Sequence, residues 1–122
     1  MRSTHTQHKV LGDLGESLAA EFLTAAGYAV IARNWRCSEG EIDIIALDGS
    51  TVVVCEVKTR SSTRYGTPLE AITPAKAARL YRLAAAWRRA HQVYARPMRI
   101  DVVTVLRGSD GQPQIEHLKD VA

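Results

Sequence analysis

Cysteine, clustered histidine and long apolar runs are all scarce in this chain, and each scarcity removes a class of function. The two cysteines, Cys37 and Cys55, have no spacing that would let them share a metal ion. Cys55 falls within a strand-like run and reads as a small core residue, while Cys37 is expected in a loop; a disulfide between them does not suit a reducing compartment. The four histidines, His5, His8, His91 and His117, are scattered, which argues against a zinc site. No apolar run approaches the roughly 20 residues of a membrane span. The polar start Met1-Arg2-Ser3-Thr4-His5 lacks the apolar core of a signal peptide, so the chain is expected in the cytoplasm, with no membrane partner. Aromatic residues are also few. Trp35 and Trp87 stand singly, whereas stacking platforms for single strands usually come in series, so both read as packing residues.

What is present suffices for one folded domain. With 122 residues, 46% of them hydrophobic, the chain can bury a real core but is too short for a second. No repeat, low-complexity run or linker divides it. The net charge is only +3, but twelve of the sixteen basic residues are arginine, the side chain best suited to bidentate phosphate contacts. Arg79, Arg82, Arg88 and Arg89 fall on one expected helix, where a solvated face is the simpler reading of Arg82 and Arg89. Arg60 and Arg64 follow an acid-bearing strand closely, and there phosphate contact is the better reading.

Periodicity predicts helix, strand, strand, strand, helix, strand and a short tail. Leu11, Leu14, Leu18, Phe22 and Ala25 recur at helical spacing, and Gly27 closes that segment as a glycine after a helix should. Tyr28 to Trp35 reads as the first strand. A turn of helix is expected within Pro68 to Thr73; then Thr73-Pro74 gives an N-cap and a proline at the first helical position of a helix running to about Ala90, with Ala77, Leu80, Leu83, Ala84 and Trp87 as its apolar stripe. Met98 to Leu106 reads as a fourth strand. Residues 107–111 are expected to turn into a weak edge strand around Gln114 to Leu118.

Between the first strand and the second helix lie Gly40-Glu41-Ile42-Asp43-Ile44-Ile45-Ala46 and Val52-Val53-Val54-Cys55-Glu56-Val57-Lys58-Thr59-Arg60, separated by Asp48-Gly49-Ser50. The pair reads as a hairpin. A loop at Asp48-Gly49 sets Glu41 opposite Glu56, and a loop at Gly49-Ser50 sets Asp43 opposite Glu56. Strict alternation would place Asp43, Glu56 and Lys58 on one face in either case, unless a bulge intervenes. Facing residues on adjacent strands lie about 5 Å apart and diagonal ones about 7–8 Å. Carboxylates that close repel, and a hard divalent cation such as Mg²⁺ relieves the repulsion.

Three further charges have uncommon positions. Helical phase puts Glu16 in line with Gly12, Ala19 and Leu23, away from the polar stripe Asp13, Ser17, Glu21 and Thr24; an inward acid must pair with a base, hold a metal or stay protonated. Lys76 lies in the arc of the second helix's apolar stripe, directed at the sheet or snorkelling out of it. Glu41 shares the face of Asp43 and is either a second acid or a surface partner of Arg60, its place near a strand end favouring the surface role. Asp101 is explained most simply by a pair with Arg99, two residues away on the same face.

The order Asp43, twelve residues, Glu56-Val57-Lys58 resembles the Asp…Glu-x-Lys signature of restriction-endonuclease-like nucleases. Gly15-Glu16, Asn34-Trp35-Arg36, Gly40-Glu41-Ile42-Asp43, Glu56 to Arg60, Lys76 and Arg99-Ile100-Asp101-Val102-Val103 extend the likeness from about residue 9 to about residue 106. Together they resemble the YraN-like family of small bacterial proteins, whose fold is related to archaeal Holliday-junction resolvases.

The resemblance implies an α/β, restriction-endonuclease-like core: a mixed central sheet flanked by helices. It further implies metal-dependent hydrolysis of phosphodiesters in nucleic acid, DNA before RNA, with branched or junction DNA among the substrates. Asp43 and Glu56, with the Val57 carbonyl, would hold Mg²⁺ or Mn²⁺, helped by Glu16. Lys58 would position the attacking water, and Arg60, Arg64, Lys76 and Arg79 would contact phosphates. A homodimer is one assembly open to such a protein. The alternative is a nucleic-acid-binding module or adaptor that keeps the nuclease fold without turnover.

Overall fold

The computed structural model describes residues 4–60, 72–107 and 111–121. Arg64, Tyr65, Gly66 and most of the helical turn expected within Pro68 to Thr73 lie outside the described residues. The elements run α1 (Thr4–Ala25), β1 (Ala29–Cys37), β2 (Gly40–Asp48), β3 (Thr51–Arg60), α2 (Pro74–His91), β4 (Met98–Arg107) and β5 (Pro113–Leu118). The five strands form one sheet in chain order, antiparallel except where β4 runs parallel beside β3. A parallel neighbour requires a crossover, and α2 supplies it. This is the mixed α/β, restriction-endonuclease-like core.

Local chemistry sets the element ends. Gly27, at φ +96°, stands in the left-handed region, and around it Tyr28 N–H donates to the Leu23 carbonyl at 2.9 Å and Gly27 N–H to that of Thr24 at 3.1 Å. These two bonds make a Schellman termination. At α2, Thr73 is extended and its hydroxyl accepts the Lys76 N–H at 3.2 Å, so the expected N-cap is present, with Pro74 opening the helix. Arg88 ties down the segment after α2 by donating to the carbonyls of Val93, Tyr94 and Arg96.

Two apolar clusters cover the two faces of the sheet. Ala19 and Leu23 of α1 pack with Tyr28, Ile44, Ala46, Val53, Cys55, Val103 and Val105. Leu80, Leu83, Ala84 and Trp87 of α2 pack with Ile42, Ile45, Val52, Val54 and Ile100. The stripe expected on α2 is buried apart from the half-buried Ala77. That of α1 is rotated: Leu14 is 51% exposed and Ala25 is exposed, whereas Gly15, Ala19 and Leu23 are buried. Gly15 is the reason. A Cβ there would collide with the Thr59 hydroxyl of β3, so the glycine lets the helix backbone lie against the sheet and turns the neighbouring residues with it. The helix also starts at Thr4, earlier than the polar opening of the chain suggested.

The tail strand is fully paired to β4, and it closes a polar network within the α1-side layer. Asp101, wholly buried, accepts from Arg99 Nε at 3.0 Å, His117 Nε2 at 2.7 Å and the Asp120 N–H at 2.9 Å. Arg99 also donates to Asp48 at 2.9 Å and to the Tyr28 hydroxyl at 2.7 Å. Asp101 is thus the structural partner of Arg99.

Candidate active site

The site lies where β2 and β3 stop pairing. Their ladder runs from Asp48↔Thr51 to Ile44↔Cys55, so the loop is Gly49-Ser50 and continuation of the ladder would set Asp43 opposite Glu56. Instead the backbone changes face at this point. Ile42 belongs to the α2-side core and Ile44, only two residues on, to the α1-side core, so the alternation breaks at Asp43. Its neighbour across β1, Asn34, has φ 53°, a left-handed conformation that asparagine tolerates better than most residues. Asp43 therefore aims along the gap between the strands, where its Oδ2 accepts the Val57 N–H at 2.8 Å.

Three acids converge there. One carboxylate oxygen from each of Glu16, Glu41 and Asp43 lies within 4.8 Å of the other two, all three side chains being half-buried. The inward phase read for Glu16 is borne out: it sits one turn before buried Ala19, next to Gly15. With its amide nitrogen turned toward the acids, Asn34 donates to Glu16 Oε2 at 2.9 Å and to Glu41 Oε1 at 2.8 Å. Glu41 also takes Arg36 as a cross-strand partner, Nε to Oε2 at 3.0 Å. The surface partner of Glu41 shown here is Arg36, where Arg60 was expected, and its other oxygen meets the Asn34 amide that also reaches Glu16.

Electrostatics follow from the crowding. Burial pushes the Asp43 carboxyl up to about 6; the Val57 N–H opposes the rise, and the charges of Glu16, Glu56 and Glu41 add to it. Its raised pKa means that a cation bound beside it would favour the charged form.

Glu56 and Lys58 stand apart from these three acids. Both point to the α2 side, where Glu56 Oε1 lies 3.4 Å from Lys58 Nζ and 3.7 Å from Arg79 Nη2. The other oxygen, Oε2, is buried and has no hydrogen-bond partner among the described residues. The simple expectation that Asp43 and Glu56 share one face thus gives way to two adjoining groups, separated by the backbone switch at Asp43. Lys76 is half-buried in the first turn of α2, and Arg60 is half-buried at the end of β3. Arg82 is a surface residue beside Glu39, at 3.4 Å, and Arg89 is exposed, as read.

Sequence reasoning missed Asn34 and Arg36 as members of the site. Their place in Asn34-Trp35-Arg36 was visible, but their reach across β1 to the acids depends on a bulged register and a positive φ that no side-chain pattern announces.

Residues 15–105 match the model of the uncharacterised protein family UPF0102. The chain belongs to this family. A UPF0102 protein of Arthrobacter sp. (strain FB24) is 55% identical over 112 residues, covering 92% of this chain and 95% of the relative. One from Paenarthrobacter aurescens (strain TC1) is 54% identical, covering 92% and 93%. A third, from Acidothermus cellulolyticus, is 44% identical and covers 98% of both chains. This is the family to which the YraN-like resemblance pointed, and the matched span holds Glu16, Asn34, Glu41, Asp43, Glu56, Lys58 and Arg79, ending before β5.

Proposed function

We propose that this protein is a metal-dependent nuclease that hydrolyses phosphodiester bonds, acting on DNA in preference to RNA and on branched or junction forms among others. The observation that carries the reading is the convergence of Glu16, Glu41 and Asp43 from α1 and β2 on the point where β3 delivers Glu56-Val57-Lys58. The donor set fits Mg²⁺ or Mn²⁺: it is all oxygen and rich in carboxylates, the Asp43 pKa is raised by burial and by its neighbouring acids, and one Glu56 oxygen has no hydrogen-bond partner among the described residues. Asp43, Glu16 and Glu56, with the Val57 carbonyl, would hold the ion, and Glu41 joins them on the strength of its position.

When bound, the cation supplies Lewis-acid polarisation of the phosphate and a more acidic water. Lys58 Nζ, the charged partner that stays beside Glu56, orients the attacking water and offsets charge building on the phosphate oxygens, the water's proton passing to solvent. The Val57 N–H holds the Asp43 carboxylate in the strand gap, so the ligand is positioned before anything binds. Arg60, Lys76 and Arg79 hold neighbouring phosphates.

A second reading, an adaptor whose charges serve as internal ion pairs, draws on the Glu56–Lys58 and Glu56–Arg79 contacts. One experiment separates the two: a cleavage screen over linear, flapped and four-way DNA and over RNA in Mg²⁺ and Mn²⁺, run beside melting curves with and without metal. The nuclease reading expects metal-dependent cleavage that Asp43→Asn abolishes, and stabilisation by metal that the same variant loses. Intact substrates and indifference to metal would overturn it.

A further inference from the structure

We infer that Arg79 is a positioning residue that couples the two halves of the site, holding Glu56 away from the cation position in the free protein and releasing it when a nucleic-acid phosphate takes the guanidinium. The inference rests on the proposed nuclease reading and adds to it a regulation: cation and nucleic acid bind cooperatively.

Three observations carry it. First, Glu56 is split from the other acids. Its Oε1 is shared by Lys58 and Arg79, while Glu16, Glu41 and Asp43 gather without it. Second, the arrangement leaves Glu56 incompletely satisfied, because both cations crowd one oxygen and the other is buried with no partner among the described residues. A carboxylate with an idle buried oxygen has something to gain by moving to a ligand that uses it. Third, the Arg79 contact is made to be given up. At 3.7 Å it is longer than a hydrogen bond, and the Arg79 side chain is 48% exposed against 11% for Glu56, so the guanidinium reaches both the buried acid and solvent.

The competition is one of charge. A cation at the acid group and the Arg79 guanidinium both seek Glu56, and Glu56 and a phosphate both seek Arg79. A planar guanidinium binds phosphate bidentately, which the single long contact to Glu56 does not match. Phosphate therefore relieves the competition for Glu56, and by reciprocity the cation, by taking Glu56, frees Arg79 for phosphate. Lys58 remains beside Glu56 throughout as the local counter-charge.

The test is calorimetric titration of Ca²⁺ into the full chain, alone and saturated with a phosphorothioate-blocked DNA duplex, for the parent, Arg79→Ala and Arg79→Lys, with Asp43→Asn as the site control. In the parent, DNA should tighten Ca²⁺ binding at least about fivefold. Without DNA, Arg79→Ala should bind Ca²⁺ tighter than the parent by roughly tenfold, and DNA should add almost nothing further. Arg79→Lys should retain part of the coupling. Equal Ca²⁺ affinity in parent and Arg79→Ala, or the same DNA-induced tightening in both, overturns the coupling while leaving the nuclease reading intact. Absence of Ca²⁺ binding that depends on Asp43 overturns both. Arg79 is half exposed on a helix surface, so the alanine variant is expected to fold, and its metal-free melting curve confirms that independently.

Discussion

The backbone N–H of Val57 donates to Asp43 Oδ2 at 2.8 Å, across the gap where β2 and β3 stop pairing. A side chain here does the work of the next ladder carbonyl. The substitution holds the two strands together at this point and keeps the Asp43 carboxylate beside those of Glu16 and Glu41. It also makes Asp43 a strand-end contact and a candidate ligand at once, so its stability effects and its chemistry are linked.

Asp43→Asn should raise metal-free stability at pH 8. The folded-state pKa of Asp43 is raised from 3.8 to about 6, so the folded protein binds the proton more tightly than the unfolded chain. Stability therefore falls as pH rises from about 4 through about 6, and the loss is complete above that window. Asparagine keeps an acceptor for the Val57 N–H and carries no charge. The gain expected at pH 8 is about 1–2 kcal/mol, allowing for partial solvent screening, and it should vanish at pH 4. Denaturant melts at both pH values check this; equal effects at the two would detach the shift from ionisation.

Glu56→Gln should move metal-free stability the other way. It removes the acid that neutralises Lys58 and Arg79 and leaves those two cations facing each other, for a loss of about 1–2 kcal/mol. In Mn²⁺ the parent should gain melting temperature while Glu56→Gln gains less. A stabilised Glu56→Gln in metal-free buffer would show that the ion pairs do not hold in solution.

Lys58→Met tests the chemistry. If Lys58 acts mainly in the transition state, single-turnover cleavage should fall by on the order of 10² or more with little change in DNA affinity. Arg60→Ala should instead weaken DNA binding and reduce its salt dependence by about one unit of slope. Parental cleavage rates in Lys58→Met would remove it from the mechanism.

Gly15→Ala should be costly for its size. The added Cβ meets the Thr59 side chain, so α1 must lift from the sheet, at about 1–3 kcal/mol, and carry Glu16 away from Asp43. Thr59→Ala in the same chain removes the hydroxyl and should recover part of both stability and metal affinity. No recovery would locate the cost elsewhere in the helix.

Asp101→Ala probes the fold without touching the site. It strands Arg99 and His117 within the α1-side layer, and a loss of about 3–5 kcal/mol is expected. The protein that remains folded at low temperature should keep parental metal affinity; a matching loss of metal binding would tie this network to the site.

The sequence by itself determined a large share of this protein, because much of its information is local. Apolar period, the Thr73-Pro74 start, Gly27 and the Asp48-Gly49-Ser50 turn each act within a few residues, and all the expected strands and both helices are present with ends displaced by a few residues. Phase alone turned Glu16 inward, and adjacency in sequence paired Asp101 with Arg99. Tertiary structure decided the rest. Gly15 rotated the buried face of α1 through a contact with Thr59, 44 positions along the chain by their numbers. The break in alternation at Asp43, joined to the left-handed Asn34 across the strand, split the acids expected on one face into a group with Glu16 and Glu41 and a separate Glu56. Arg79 reached Glu56 from another element. Strand periodicity states which residues share a face only while the ladder is regular, and this site lies where regular pairing stops.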